Sequence, residues 1–169
     1  MKLVLALMLI TFSFSSFANV LVGLVDIQKI ITTINEGKNV QKTLEKAFND
    51  KKAVLKKDEE KIKKLQEDYK KQSMVLAEAA RATKERDIQE QMMKLQSKTM
   101  EYQKEIQKME QEMKKPILEK LRPLIDEISK SNAVAMTFEL SAAPIVYAEN
   151  KKDLSDEVIK AYDKKHPGK

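Results

Sequence analysis

The sequence predicts a mainly α protein with a small β part, in which a long antiparallel coiled-coil hairpin projects from a small β-rich body. Three observations carry that prediction. Charged residues make up 34% of the 169-residue chain and aromatic residues only 5%, with no Trp and no Cys, a balance that suits long solvated helices better than a compact globule. No glycine occurs between Gly37 and Gly168, and the only prolines before Pro144 are Pro116 and Pro123; the intervening stretch is rich in Lys, Glu, Gln, Ala, Leu and Met, all good helix formers. Apolar residues recur at every seventh position in two separate stretches, as a left-handed coiled coil requires.

Residues 1–18 read as a secretory signal. Lys2 supplies the positive start and Leu3 to Phe14 the apolar run, and Ser16-Phe17-Ala18 places small residues at a cleavage site before Asn19. The apolar run is shorter than the roughly 20 residues of a spanning helix, and no Cys is available for a lipid anchor. Cleavage near Ala18-Asn19 leaves a soluble chain outside the cytoplasm and lowers the formal charge of +6 by one, that of Lys2.

Val20 to Ile27 is apolar and β-branched, as in a buried strand. Asp26 is placed to cap a short helix through Ile34, ended by Asn35-Glu36-Gly37. The arm occupies residues 38–116. On its outgoing side Phe48, Leu55, Ile62, Tyr69 and Leu76 form one heptad row, while Leu44 and Leu65 share the other with Lys51, Asp58 and Gln72. On the returning side Ile88, Leu95, Tyr102 and Met109 form one row and Met92, Thr99, Ile106 and Met113 the second. Antiparallel pairing matches Tyr69 with Ile88, Ile62 with Leu95, Leu55 with Tyr102 and Phe48 with Met109, about a point between Glu78 and Ala79, so the tip is expected within about residues 73–82. Ala77 to Thr83 contains no turn residue, and one unbroken helix paired with a second chain would give the same periodicity.

Beyond Met113 the apolar row shifts: Ile117, Leu121, Leu124 and Ile128 lie one position off the seam, and the shift falls at Pro116, where a kink is expected. Ala133 to Leu140 and Pro144 to Ala148 read as two further strands, and Asp153 with Asp156 as the cap of a closing amphipathic helix with Leu154, Val158, Ile159 and Tyr162. Residues 19–37 and 117–165 then form one discontinuous β-rich body. At roughly 70 residues its core is marginal unless several chains associate.

The segments Val22-Gly-Leu-Val-Asp-Ile-Gln-Lys29, Ala142-Ala-Pro-Ile-Val-Tyr-Ala148 and Lys152-Asp-Leu-Ser-Asp-Glu-Val158, set around a charged helical hairpin, resemble the Skp/OmpH family of periplasmic chaperones over essentially the whole mature chain. The closing segment is the most specific part, with Leu154-Ser155 in place of the family's usual Ile-Thr. The resemblance implies a homotrimer joined through a small β-rich body. Three hairpins would surround a cavity in which unfolded outer-membrane proteins are held without ATP. It also implies that the hairpin closes within one chain; an arm of about 40 residues would reach roughly 60 Å.

Three groups of residues are candidates for that function. Met93 and Met100, one heptad apart and off the seam, and Met74 and Val75 near the tip are candidate client contacts, because flexible, polarizable Met suits promiscuous binding; gap-filling between arms would use the same residues. Lys56-Lys57, Lys63-Lys64 and Lys70-Lys71 repeat every seven residues and form a basic stripe suited to anionic lipid, lipopolysaccharide or acidic client segments. A solvated face with Glu59–Lys63, Glu60–Lys64 and Glu67–Lys71 pairs reads the same way. Lys51, Asp58, Gln72 and Thr99 interrupt the seam, either loosening the arm or setting its register.

No catalytic residues are indicated, and no cofactor or metal is expected. The one histidine, His166, falls in a tail with Pro167 and Gly168 expected to fray, and there is no Gly-rich phosphate loop and no Cys nucleophile. The net positive charge would suit nucleic acid, but an export signal and lysines without neighbouring stacking aromatics argue against it, so no nucleic acid is expected. A structural coiled-coil envelope spacer, or a basic lipid- or nucleic-acid-binding protein without chaperone activity, is the alternative reading.

Overall fold

The computed structural model describes residues 20–143 and 145–167. The expected signal sequence, with its cleavage point before Asn19, lies outside the described residues. In order the elements are β1 (Val22–Val25), α1 (Ile27–Thr33), α2 (Asn35–Gln72), α3 (Glu78–Ser131), β2 (Met136–Glu139), β3 (Lys151–Asp153) and α4 (Ser155–Lys165). The result is a mainly helical chain with one small sheet.

The sheet has the order β2-β1-β3 with both pairs parallel, Val22 lying opposite Met136 on one side and Lys151 on the other. Parallel neighbours need a long crossover. Between β1 and β2 that crossover is the whole helical hairpin. Gly23 lets the central strand sit close to its surroundings: a Cβ there would lie 2.7 Å from Thr137 Oγ1 and 2.9 Å from Val134 Cγ1.

One apolar cluster holds the body together. Ile30, Ile31 and Ile34 from the opening segment meet Ile117, Leu121, Leu124 and Ile128 of α3, with Leu154, Val158 and Tyr162 from the chain's end. The spacing 117, 121, 124, 128 puts one helical face inward. Beyond Pro116 that face packs on the opening segment and the chain's end, while α3 stays beside α2 as far as the Lys120–Glu36 pair. Both prolines lie inside α3, which is one element from Glu78 to Ser131.

The strand-to-helix corner is fixed by two hydrogen bonds. Asp26 Oδ1 accepts from the Lys29 N–H at 2.8 Å, capping α1, while the Asp26 N–H donates to the buried Ser155 Oγ at 2.9 Å. At the other end, Asp153 Oδ1 accepts from the Ser155 N–H at 2.8 Å, but the cap position of α4 is Leu154, which makes no side-chain cap bond, and Asp156 lies in the first turn, so the expected Asp153 and Asp156 cap is not formed.

Three further expectations need correcting. Asn35-Glu36-Gly37 does not end a helix but opens α2, after a break at Ile34. Gly37 is buried there because a Cβ would stand 1.7 Å from the Ile31 carbonyl oxygen; glycine serves close approach, not termination. The third strand is Lys151–Asp153, not Pro144–Ala148. β1 has only two edges, and the run leading into the α4 cap takes the second, leaving Val146 and Tyr147 in an exposed loop. His166 is not frayed: its N–H donates to the Tyr162 carbonyl at 2.7 Å and its ring packs on Tyr162, 4.8 Å between centroids.

Candidate functional site

The arm is the extended surface of the molecule. α2 runs out, the chain reverses at Ser73–Ala77, and α3 returns. The Val75 and Leu76 N–H groups donate to the Gln72 carbonyl at 3.0 and 3.1 Å in the reversal, and the Ser73 hydroxyl donates to the Lys70 carbonyl at 3.2 Å. Ala77 offers no side-chain cap to α3; Glu78 in the first turn complements the positive helix end instead.

Packing along the arm is thin. Ile62 is its only buried apolar residue beyond Val40 among those described, while Leu55, Tyr69, Leu95, Tyr102 and Ile106 are half-buried. A two-helix hairpin has no third layer to cover its seam, so side chains on either flank stay accessible.

The polar seam residues are partnered. Asp58 Oδ2 accepts from Lys98 Nζ at 2.7 Å, Gln72 Oε1 accepts from Lys84 Nζ at 3.0 Å, and Lys51 pairs with Glu105. Lys51 Nζ also stands 4.1 Å from the Tyr102 ring centre, a cation–π contact. Thr99 Oγ1 donates to the Leu95 carbonyl at 2.8 Å within its own helix. The three cross-arm pairs sit one residue from the expected register, which opposed Asp58 to Thr99 and Lys51 to Ile106. The reason is geometric: a long polar side chain at the seam reaches the flanking position of the other helix. Hydrogen bonding to Lys98 holds the Asp58 carboxyl below its ordinary range and raises the Lys98 ammonium above its own. These partners were missed in the sequence, although Lys98 and Glu105 carry the right charges at the right pairing distance.

The candidate contact residues are all open to solvent: Met74 is 94% exposed, Val75 84%, Met93 63% and Met100 58%. They do not form one cluster. Met93 and Met100 line a groove of about 810 Å³ between the helices, together with Ile62, Gln66 and Met92, whereas Met74 and Val75 belong to the tip. The six lysines of the basic stripe, Lys56, Lys57, Lys63, Lys64, Lys70 and Lys71, are likewise exposed on α2. Among the described residues only Lys63 of these has a carboxylate within ion-pair distance, Glu67 at 4.0 Å. The expected Glu59, Glu60 and Lys71 pairings do not occur there.

At the arm's root three helices meet on one carboxylate. Glu36 of α2 accepts from Lys120 Nζ of α3 at 2.8 and 2.9 Å and from Tyr162 Oη of α4 at 2.6 Å. Partial burial pushes the Glu36 carboxyl up, but the two donors outweigh it and hold it below its ordinary range. Burial, with Glu36 as acceptor, pushes the Tyr162 hydroxyl strongly up. The cluster is structural in character, since every polar atom in it is used within the molecule. Among the described residues no group of three or more His, Cys, Asp or Glu could hold a metal ion, and no helix is long and apolar enough to cross a membrane.

A protein-family model described as "Outer membrane protein (OmpH-like)" matches residues 21–162. Among solved structures, the fold is similar to the crystal structure of an OmpH-like protein from Caulobacter crescentus CB15 that was proposed to be an outer membrane chaperone. The TM-score is 0.69 at 17% identity, covering 85% of this chain and 84% of that one. At that identity the likeness is one of fold. Comparison with curated proteins finds no match.

Proposed function

We propose, from the premise that the chain belongs to the OmpH-like family over residues 21–162, that it is an ATP-independent holdase chaperone of the periplasm. It would enclose unfolded outer-membrane proteins between helical arms and prevent their aggregation. The observation that carries this reading is the exposure of Met74, Val75, Met93 and Met100 on an arm whose own packing does not use them. Apolar side chains held on a solvated scaffold offer contact area to any unfolded chain, and Met adapts to many shapes. The action needs binding and no covalent step.

A cavity requires more than one arm, so the working form is a homotrimer. Its support lies in the body: β2 and β3 each pair only with β1 among the described residues, and Met136, Leu140, Val146 and Tyr147 are exposed around them. Open strand edges beside apolar side chains favour further pairing. The basic stripe on α2 is the surface proposed to meet anionic lipid, lipopolysaccharide or acidic client segments. Residues 1–18 are proposed to direct export and be removed.

The test is to dilute a urea-unfolded outer-membrane β-barrel protein into buffer with and without this protein. Turbidity and the mass of the complex are followed by light scattering. The reading expects turbidity to fall to baseline and a complex of three chains with one client. Unchanged aggregation at excess protein would reject it and leave the envelope spacer.

A further inference from the structure

The two flanks of α3 differ in chemistry. On α3, Gln89, Gln96 and Gln103 recur every seven residues, and Met93, Met100 and Gln107 form a second row four positions on. Residues three and four apart are neighbours on a helix, so the six make one strip along a single flank. From Gln89 to Gln107 that strip carries no charge. The opposite flank holds the Lys98–Asp58 ion pair, whereas Lys51, paired with Glu105, reaches the groove that Gln103 and Gln107 line.

All six side chains are exposed. Among the described residues the four glutamines make no side-chain hydrogen bond, so each amide has its donors and acceptor available. The strip borders a continuous groove. Its middle part, with Leu95 and Thr99 in its lining, shares Gln89 with the section toward the tip and Gln103 with the section toward the body.

We infer that this strip is a docking track for the backbone of an extended, uncharged polypeptide segment, the glutamine amides bonding its peptide groups and the methionines covering its apolar side chains. The inference rests on the holdase reading and names the face and the mode by which a client is held. A heptad advances about 10.5 Å along a helix. Unfolded chains populate the polyproline II conformation, which presents the same backbone edge every three residues, about 9.3 Å, with its peptide groups not bonded to each other. Flexible Gln side chains take up the difference. The strip from Gln89 to Gln107 spans roughly 27 Å, room for about nine residues at 3.1 Å each. Because peptide groups are common to all sequences, a reader of this kind holds many clients. Because the strip is uncharged, a neutral segment seated on it covers no charge of the strip, and the charged residues of the facing α2 wall, Glu59, Lys63 and Lys70 among them, are solvent-exposed.

The probes are a capped nine-residue peptide of alternating Val and Thr, and the same peptide N-methylated at every third residue to delete donors. Binding to the full-length protein is measured by fluorescence anisotropy. The inference predicts that Gln89→Leu/Gln96→Leu/Gln103→Leu binds the unmodified peptide roughly tenfold or more weakly, since several modest hydrogen bonds are lost while shape is kept. N-methylation should weaken binding to wild type and bring it to the level of the variant. Lys94→Gln/Lys108→Gln on the other flank should bind as wild type does. Equal binding by the triple variant, or no effect of N-methylation, overturns the inference. So does a change in the mass of the assembly, which would make the strip a contact between copies of the arm. Should the triple variant lose helicity, Gln96→Leu alone is read, with about a threefold loss expected. Capture of an unfolded barrel protein is run beside it. If the triple variant captures it as wild type does, the strip is wrong and the holdase reading stands; if wild type captures nothing, that reading falls and this one with it.

Discussion

Replacing Tyr162 by Phe removes one oxygen from the root of the arm and leaves the ring in place. The hydroxyl donates to Glu36 at 2.6 Å from a side chain that is wholly buried. A hydrogen bond to a charged group contributes about 1.5–3 kcal/mol. Here Glu36 retains Lys120 at 2.8 and 2.9 Å, and its side chain is 28% exposed, so water and Lys120 offset part of the loss. The expected cost is about 1–2 kcal/mol. Urea unfolding followed by circular dichroism at 222 nm measures it, at one fixed protein concentration because association shifts apparent stability.

The pH dependence has a definite sign. The Glu36 carboxyl is held below its usual 4.5 in the fold. Its contribution is therefore complete above that value and is lost as pH falls through the lower folded value. The Tyr162 hydroxyl is raised above its usual 10.0, so its contribution is present below 10 and is lost as the solution becomes more alkaline. The difference between wild type and Tyr162→Phe should hold steady at neutral pH and shrink in acid below about 4.5. A difference under about 0.5 kcal/mol at pH 7, or one unchanged in strong acid, would refute the assignment of Glu36 as the junction of three helices.

Gly37→Ala should destabilise by at least about 2 kcal/mol, because its Cβ would meet the Ile31 carbonyl oxygen at 1.7 Å; thermal unfolding reads this directly. Leu121→Ala, at the 1%-exposed centre of the body, should cost about 2–5 kcal/mol in the same assay. Asp58→Ala breaks the cross-arm pair with Lys98 near the surface, and urea titration should find a loss below about 1 kcal/mol. Met74→Glu/Val75→Glu at the exposed tip should change stability by less than about 0.5 kcal/mol, while turbidity of a diluted barrel protein should be suppressed less well.

The heptad rows made the arm readable before any coordinates. Phe48 to Leu76 and Ile88 to Met109 repeat too regularly for any other element, and past the shift at Pro116 the inward face of α3, from Ile117 to Ile128, belongs to the core of the body. What stayed hidden depends on contacts distant in the chain. Gly37 looks like a helix stop until Ile31 is found 1.7 Å from where its Cβ would be. Ile145 and Val146 have strand propensity, but β1 has only two edges and Lys151–Asp153 occupies the second. Lys51 and Asp58 looked like flaws in a seam because their partners, Glu105 and Lys98, lie 54 and 40 residues away. Local pattern reports which face is apolar; it does not report what crosses over to meet a polar residue.

The arms, and not the body, are held to carry the guest. Photo-crosslinking residues placed singly at Met93, Met100 and, on the body, Lys160 test this with an unfolded outer-membrane barrel protein as the guest. Guest adducts are expected from both arm positions and few from Lys160. Adducts as abundant from Lys160 as from the arm, or none from positions 93 and 100 while the guest stays soluble, would contradict it.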